Sequence, residues 1–197
     1  MKNLLLVFAL FSAAAAHAQM DTSALRIAFS GYAEPYYGYD FGNPAAGNRP
    51  GFIYSHNRHN EFNVNLAFLK GAVSTRHFRG NLALMAGTYA NANLTAEPAT
   101  LRNIYEANAG FGGPLKHGGE LWLDLGIFPS HIGFESAIGK DCWTLTRSIL
   151  ADNSPFYAAG AKLSYTTANQ KWFFSGLLLN GWQRIQREAN DIPLSAG

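Results

Sequence analysis

Along Arg79 to Asn91, Gly80, Leu82, Leu84, Ala86, Thr88 and Ala90 occupy every second position, with Arg79, Asn81, Ala83, Met85, Gly87, Tyr89 and Asn91 between them. Successive side chains of a strand point to opposite faces, so this spacing predicts a strand with one apolar face and one small or polar face. The pattern recurs and predicts about seven strands. The first covers Leu25–Phe41, setting Ile27, Phe29, Gly31, Ala33, Tyr37 and Tyr39 against Ser30, Tyr32, Glu34, Tyr36 and Asp40. The second, Asn60–Leu69, sets Phe62, Val64, Leu66 and Phe68 against Glu61, Asn63, Asn65 and Ala67. After Arg79–Asn91 come Asn103–Gly112, Glu120–Phe128, Phe156–Tyr165 and Lys171 to about Ile185. The fourth is read with Tyr105, Ala107, Ala109 and Phe111 on its apolar side, the fifth with Leu121, Leu123, Leu125 and Ile127. In the last, Asn180, Trp182, Arg184 and Gln186 suggest a lumenal face.

The connections alternate in length. Gly42–His59, Ala92–Arg102 and Pro129–Pro155 are the longer ones; Lys70–His77, Gly113–Gly119 and Thr166–Gln170 are short. Two-sided strands joined in this rhythm predict an all-β, antiparallel up-and-down transmembrane β-barrel, with long loops outside the cell and short turns in the periplasm. A secreted β-sandwich also alternates, but it fills its core with Val, Ile and Leu. Here the polar faces combine Asn, Glu, Asp and Arg with large Tyr and Trp.

An export signal accounts for residues 1–18: Lys2, an apolar run from Leu4 to Phe11, and Ala16-His17-Ala18 as the cleavage site. The mature barrel chain then covers 19–197. No later apolar run approaches the roughly 20 residues of a membrane helix. Without Lys2 the 15 Lys+Arg become 14 against 13 Asp+Glu, a net charge of +1, and no basic cluster marks a nucleic-acid surface. Charged residues are only 14% of the chain, aromatics 14%, and Gly numbers 20, a composition suited to a lipid-facing barrel with aromatic girdles. The single cysteine, Cys142, excludes an internal disulfide.

The runs Leu121–Ser136, Trp143–Ser148 and Asn153–Tyr157, with His59–Asn63, Ala86–Tyr89, Ala96-Glu97-Pro98 and Leu179–Ile185, resemble the OmpL-like β-barrel porin family of Gram-negative bacteria. The resemblance covers nearly all of the mature chain from about Gly31. It implies a porin-type barrel in the bacterial outer membrane. Because such barrels are considerably longer, it places these residues in their N-terminal part. Seven strands fall below the usual minimum of 8, so an incomplete barrel with a curved, unclosed sheet is expected, Asn190–Gly197 opening an external loop.

Candidate chemistry elsewhere is thin. His56 and His59 lack a third metal ligand and read as a polar external loop. Ser130-His131 lacks a nucleophile elbow. Asn93-Leu94-Thr95 is a formal glycosylation acceptor of no use in a bacterial envelope, and Cys142 has no activating neighbour. The expected function is therefore not enzymatic: passive diffusion of small hydrophilic solutes through a porin-like channel, without a cofactor or metal. Alternatives are an outer-membrane barrel enzyme and a secreted β-sandwich binding module. Expected partners are outer-membrane lipid and the solutes, with homo-oligomer formation left open and nucleic acid excluded. Lumenal candidates are Glu34, Asp40, Glu61, Arg79, Glu106, Asp124 and Arg184. Pro129–Pro155 is expected to cross the mouth and add Glu135, Lys140, Asp141 and Arg147 to a constriction, with an external cap as the competing reading. Tyr32, Tyr36, Tyr89 and Trp122 on the same face are read either as sugar-stacking rings or as girdle and lumen packing. Leu82, Leu84, Phe62, Leu66, Leu123 and Leu125 should face lipid, and Asn63, Asn65, Asn81 and Asp124 the lumen. Arg at Ala83 should accordingly be tolerated better than Arg at Leu84.

Overall fold

The computed structural model describes residues 25–187 and 195–197. The expected export signal lies outside the described residues. Eight strands form one sheet in sequence order, each antiparallel to the next. They are β1 (Arg26–Gly38), β2 (Glu61–Ser74), β3 (Phe78–Ala86), β4 (Ile104–Pro114), β5 (Glu120–Pro129), β6 (Tyr157–Thr166), β7 (Phe173–Leu179) and β8 (Ser195–Ala196). β1 and β8 are the two ends of the strand order, so the sheet is open. The extra strand relative to the expected seven is β8, two residues paired with Leu178 and Leu179 where a loop was expected.

In an up-and-down sheet successive connections fall at opposite ends. Segments 39–60, 87–103 and 130–156 therefore share one end, and the short turns 75–77, 115–119 and 167–172 share the other. One sheet face is bare and apolar: Phe29, Phe62 and Leu69 are 85%, 88% and 77% exposed, and Leu82, Leu84, Leu123, Leu125, Leu163 and Leu178 are exposed with them. The opposite, inner face carries the long connections. Tyr89, Ala90 and Leu94 from 87–103 and Ala137 from 130–156 are buried with Leu66, Phe68 and Met85 of the wall.

Four expectations are corrected. The third strand stops at Ala86. Gly87, at φ 131, turns the chain into α1 (Thr88–Asn93), and a side chain there would strike the Asn65 carbonyl. Thr88 and Ala90, expected outside, are thus buried inside. The pairing of β1 with β2 slips between Glu34 and Pro35 of β1, leaving Asn65 of β2 as the extra residue of a bulge. Every later side chain of β2 changes face, so Leu66 and Phe68 are buried and Leu69 is exposed. A second slip between Ala83 and Leu84 leaves Tyr105 unpaired in β4. Tyr105 then stacks on Phe68 at 4.8 Å and 9°, instead of facing outward. Toward the long-connection end of β5 and β6 the alternation disappears, with Ile127, Phe128, Tyr157, Ala158 and Ala159 all buried. Ile127 is accordingly covered and cannot face lipid.

Candidate functional site

The inner wall is organised by small residues. Lys70 and Glu106 both pair in register with Ala83, one from each side. Because Ala83 presents only a methyl group, the Lys70 ammonium reaches over β3 to the Glu106 carboxylate at 2.7 Å. Two rows away, Arg79 and Asp124 flank Gly110 of β4. With no side chain between them, the Arg79 Nε–H donates to Asp124 Oδ1 at 2.7 Å and a second guanidinium N–H to Oδ2, a bidentate pair. Lys162 stands 3.9 Å from the same carboxylate, and the Arg79 guanidinium lies 4.4 Å above the Trp122 ring. Asn81 donates to Asn108 between these rows. Neighbouring strands are about 4.8 Å apart, so each ion pair bridges roughly 10 Å of wall.

Glu34 is the point where the wall meets two connections. Its carboxylate accepts from Asn65 Nδ2 at 3.0 Å and from His56 Nε2 at 3.1 Å. The backbone of Gly139, in the long 130–156 segment, lies directly against it, and a Cβ there would overlap Oε1. His56 and His59 lie in the 39–60 connection as expected, but at 5% and 8% exposed both are buried. Burial lowers the His56 pKa; Glu34 opposes this, while Arg147 and Arg49 add to it.

The 130–156 segment is internally tied. Arg147 is 5% exposed and donates to the carbonyls of Ser136 at 2.9 Å, Ala137 at 2.7 Å and Leu145 at 3.2 Å. Glu135 accepts from the Ser148 backbone N–H and hydroxyl. Both residues therefore hold the segment's shape. Lys140 and Asp141 pair with each other in solvent at 2.9 Å. Between this segment and the wall lies a cleft of about 510 Å³, with Phe68, Lys70, Tyr105 and Glu106 on its wall side.

The remaining candidates lie nearer the rims. Asp40 caps its own turn through Gly42 N–H and sits 3.7 Å from Arg49. Glu61 takes a bidentate pair from Arg58 at 2.7 and 3.0 Å. Arg184 follows β7, near Tyr157. The four aromatic candidates are engaged: Tyr32 with Phe68, Tyr36 with His56, Tyr89 with Phe156, and Trp122 beneath Arg79. Ser130 Oγ accepts from Ile132 N–H, and Cys142 Sγ donates to the Ser136 carbonyl. Among the described residues no group of three metal-ligating side chains assembles.

Sequence reasoning missed Lys70, Lys162 and Glu97. Lys70 was assigned to a turn; only the bulge puts it on the inner face. Glu97, 2% exposed, accepts from Tyr157 Oη at 3.1 Å and from the backbone N–H of Ile185 and Gln186 at 2.7 and 3.1 Å. It joins 87–103, β6 and the segment after β7. Its appearance within Ala96-Glu97-Pro98 was the available signal.

An up-and-down antiparallel sheet with a bare apolar outside and an ion-paired inside defines a β-barrel wall of porin type. The chain belongs to the family described as "Putative beta-barrel porin-2, OmpL-like", whose model matches residues 26–196. Neither the curated proteins nor the solved structures contain a match.

Proposed function

We propose that this protein provides a water-filled passage across the bacterial outer membrane through which small hydrophilic solutes diffuse. The observation that carries this reading is the contrast between the two sheet faces. Exposed Phe29, Phe62, Leu69, Leu82 and Leu84 suit contact with lipid hydrocarbon, whereas Lys70–Glu106 and Arg79–Asp124–Lys162 put charge of both signs on the inner wall. Such mixed rows create a transverse field rather than a strong preference for one sign of ion. The contact of Gly139 with Glu34 supports a constriction formed by segment 130–156, as opposed to an external cap. The long-connection end is taken as the outer one. The mature protein, purified in detergent and added to a planar lipid bilayer, should give discrete ion-conducting steps with weak ion selectivity. A chain that stays soluble without detergent and inserts nowhere would overturn the reading.

A further inference from the structure

At the long-connection end, four segments that are distant in sequence enclose a cleft of about 350 Å³, which includes Tyr54, Asn93, Asp152, Asn153 and Trp182. This volume lies within the range of small-molecule sites. Its polar groups include several acceptors. Asn93 and Asn153 each commit one amide N–H, to the carbonyls of Tyr89 at 3.1 Å and Ile149 at 2.8 Å, leaving the carboxamide oxygen as an acceptor and a second N–H as a donor. Asp152 has a buried carboxylate oxygen, Oδ1, with no hydrogen-bond donor. That oxygen is shielded even from water, so a ligand in the cleft meets Asp152 through its other carboxylate oxygen, Oδ2.

The aromatic part of the cleft is held in place. Gln183 accepts from the Phe156 N–H at 2.9 Å and donates to the Asn93 carbonyl at 2.8 Å, fixing the segment on both sides. Gly181 and Gln183, at φ 142 and 51, bracket Trp182, which is 63% exposed. Unlike Tyr89 and Trp122, which are covered, this ring is open to a partner.

We infer that this cleft is a subsite for a neutral pyranose ring, stacked by its C–H face on Trp182 and donating hydroxyl groups to Asp152, Asn93 and Asn153. A point cation would satisfy Asp152 alone. Carboxamides and a carboxylate spread over two connections instead call for hydroxyl groups, which both donate and accept, spread around one flat molecule, as a polyol ring carries them. The inference deepens the channel reading and rests on it for its purpose: the subsite stands at the mouth and would concentrate sugars before they pass.

The test uses the full chain in detergent micelles and in planar bilayers, with maltotriose as probe and arginine and galacturonate as charged comparisons. Maltotriose at millimolar concentration should change tryptophan fluorescence and add reversible blocking to the current. Trp182→Ala should abolish the fluorescence response, and Asp152→Ala or Asn153→Ala should weaken binding about tenfold, with conductance unchanged. Conductance without any response to maltotriose would overturn the subsite and leave the channel standing. Maltotriose binding in micelles without conductance would do the reverse. Tighter binding of arginine than of maltotriose, lost in Asp152→Ala, would assign the cleft to cations and overturn the sugar.

Discussion

Asp124 is 4% exposed and depends on Arg79, whose side chain is 35% exposed, and more distantly on Lys162. Removing one partner from a fully buried pair costs about 3–5 kcal/mol. Here solvent screening at Arg79 and the second cation reduce that, so Arg79→Met should destabilise by about 1–2 kcal/mol. Asp124→Asn should cost less, because the freed guanidinium can turn to water. Denaturant unfolding of the reconstituted variants measures both; a larger loss in Asp124→Asn would reverse the assignment of the dependent partner. His56 gives a pH dependence. Its folded pKa lies below the ordinary 6.5, so its contribution is intact above 6.5 and is lost as pH falls below it, where the unfolded ring takes the proton more readily. Asp152 has the opposite sign at lower pH: burial raises its pKa, so its ionisation opposes folding. Heat unfolding between about pH 7.5 and pH 5.5 should show a falling midpoint that flattens in His56→Gln. An unchanged slope in that variant would place the dependence elsewhere.

At the scale of strands, alternation was legible in the sequence wherever the ladder is regular. Ile27, Phe29, Leu82, Leu84, Leu123 and Leu125 are exposed as the spacing required. It failed at Leu66, Phe68 and Tyr105, each following or forming a bulge, because a one-residue slip is invisible to a period-two reading. It failed again after Ala86, where Thr88–Asn93 still alternates but a left-handed Gly87 lets it coil inward as a helix. The inner ion pairs were half legible. Arg79, Glu106 and Asp124 fell on the right face, but their partners depended on which strands are neighbours and on Ala83 and Gly110 being small. The mutational contrast drawn from sequence must therefore change. Leu84→Arg should cost about 2–4 kcal/mol at the bilayer midplane. Ala83→Arg will not be benign, since Ala83 is fully covered by the Lys70–Glu106 pair and a long side chain would separate it. Ala67→Leu, on the outward side of β2 beyond the bulge, should be nearly neutral. Refolding yields into lipid vesicles would rank the three, and a tolerated Ala83→Arg would contradict the pair's position.

For the whole molecule, the decisive contact is that of segment 130–156 with the wall. Gly139→Ala would push a methyl group into the Glu34 carboxylate, which Asn65 and His56 hold in place, and so should lift the segment. The expected result is higher single-channel conductance and faster proteolysis within 130–156; conductance at the parent level with unaltered cleavage would remove this segment from the passage. Glu135 and Arg147 are poor positions for altering selectivity, because both are spent holding the segment's own backbone. Lys140 and Asp141 are solvent-facing, and reversing either should shift the reversal potential under a salt gradient without unfolding.

The long reach of the two wall pairs has a mechanical consequence. The tie from β2 to β4 and the tie from β3 to β5 overlap, so both cross the seam between β3 and β4. To open or shear that seam, hydrogen bonds and two ionic braces must stretch together. Among the described residues the seam between β1 and β2 has no ionic brace across it. Lateral tension on the wall will therefore strain it unevenly: β2 to β6, the last joined through Lys162 and Asp124, will move as a stiff plate, and bending will concentrate on the flanks.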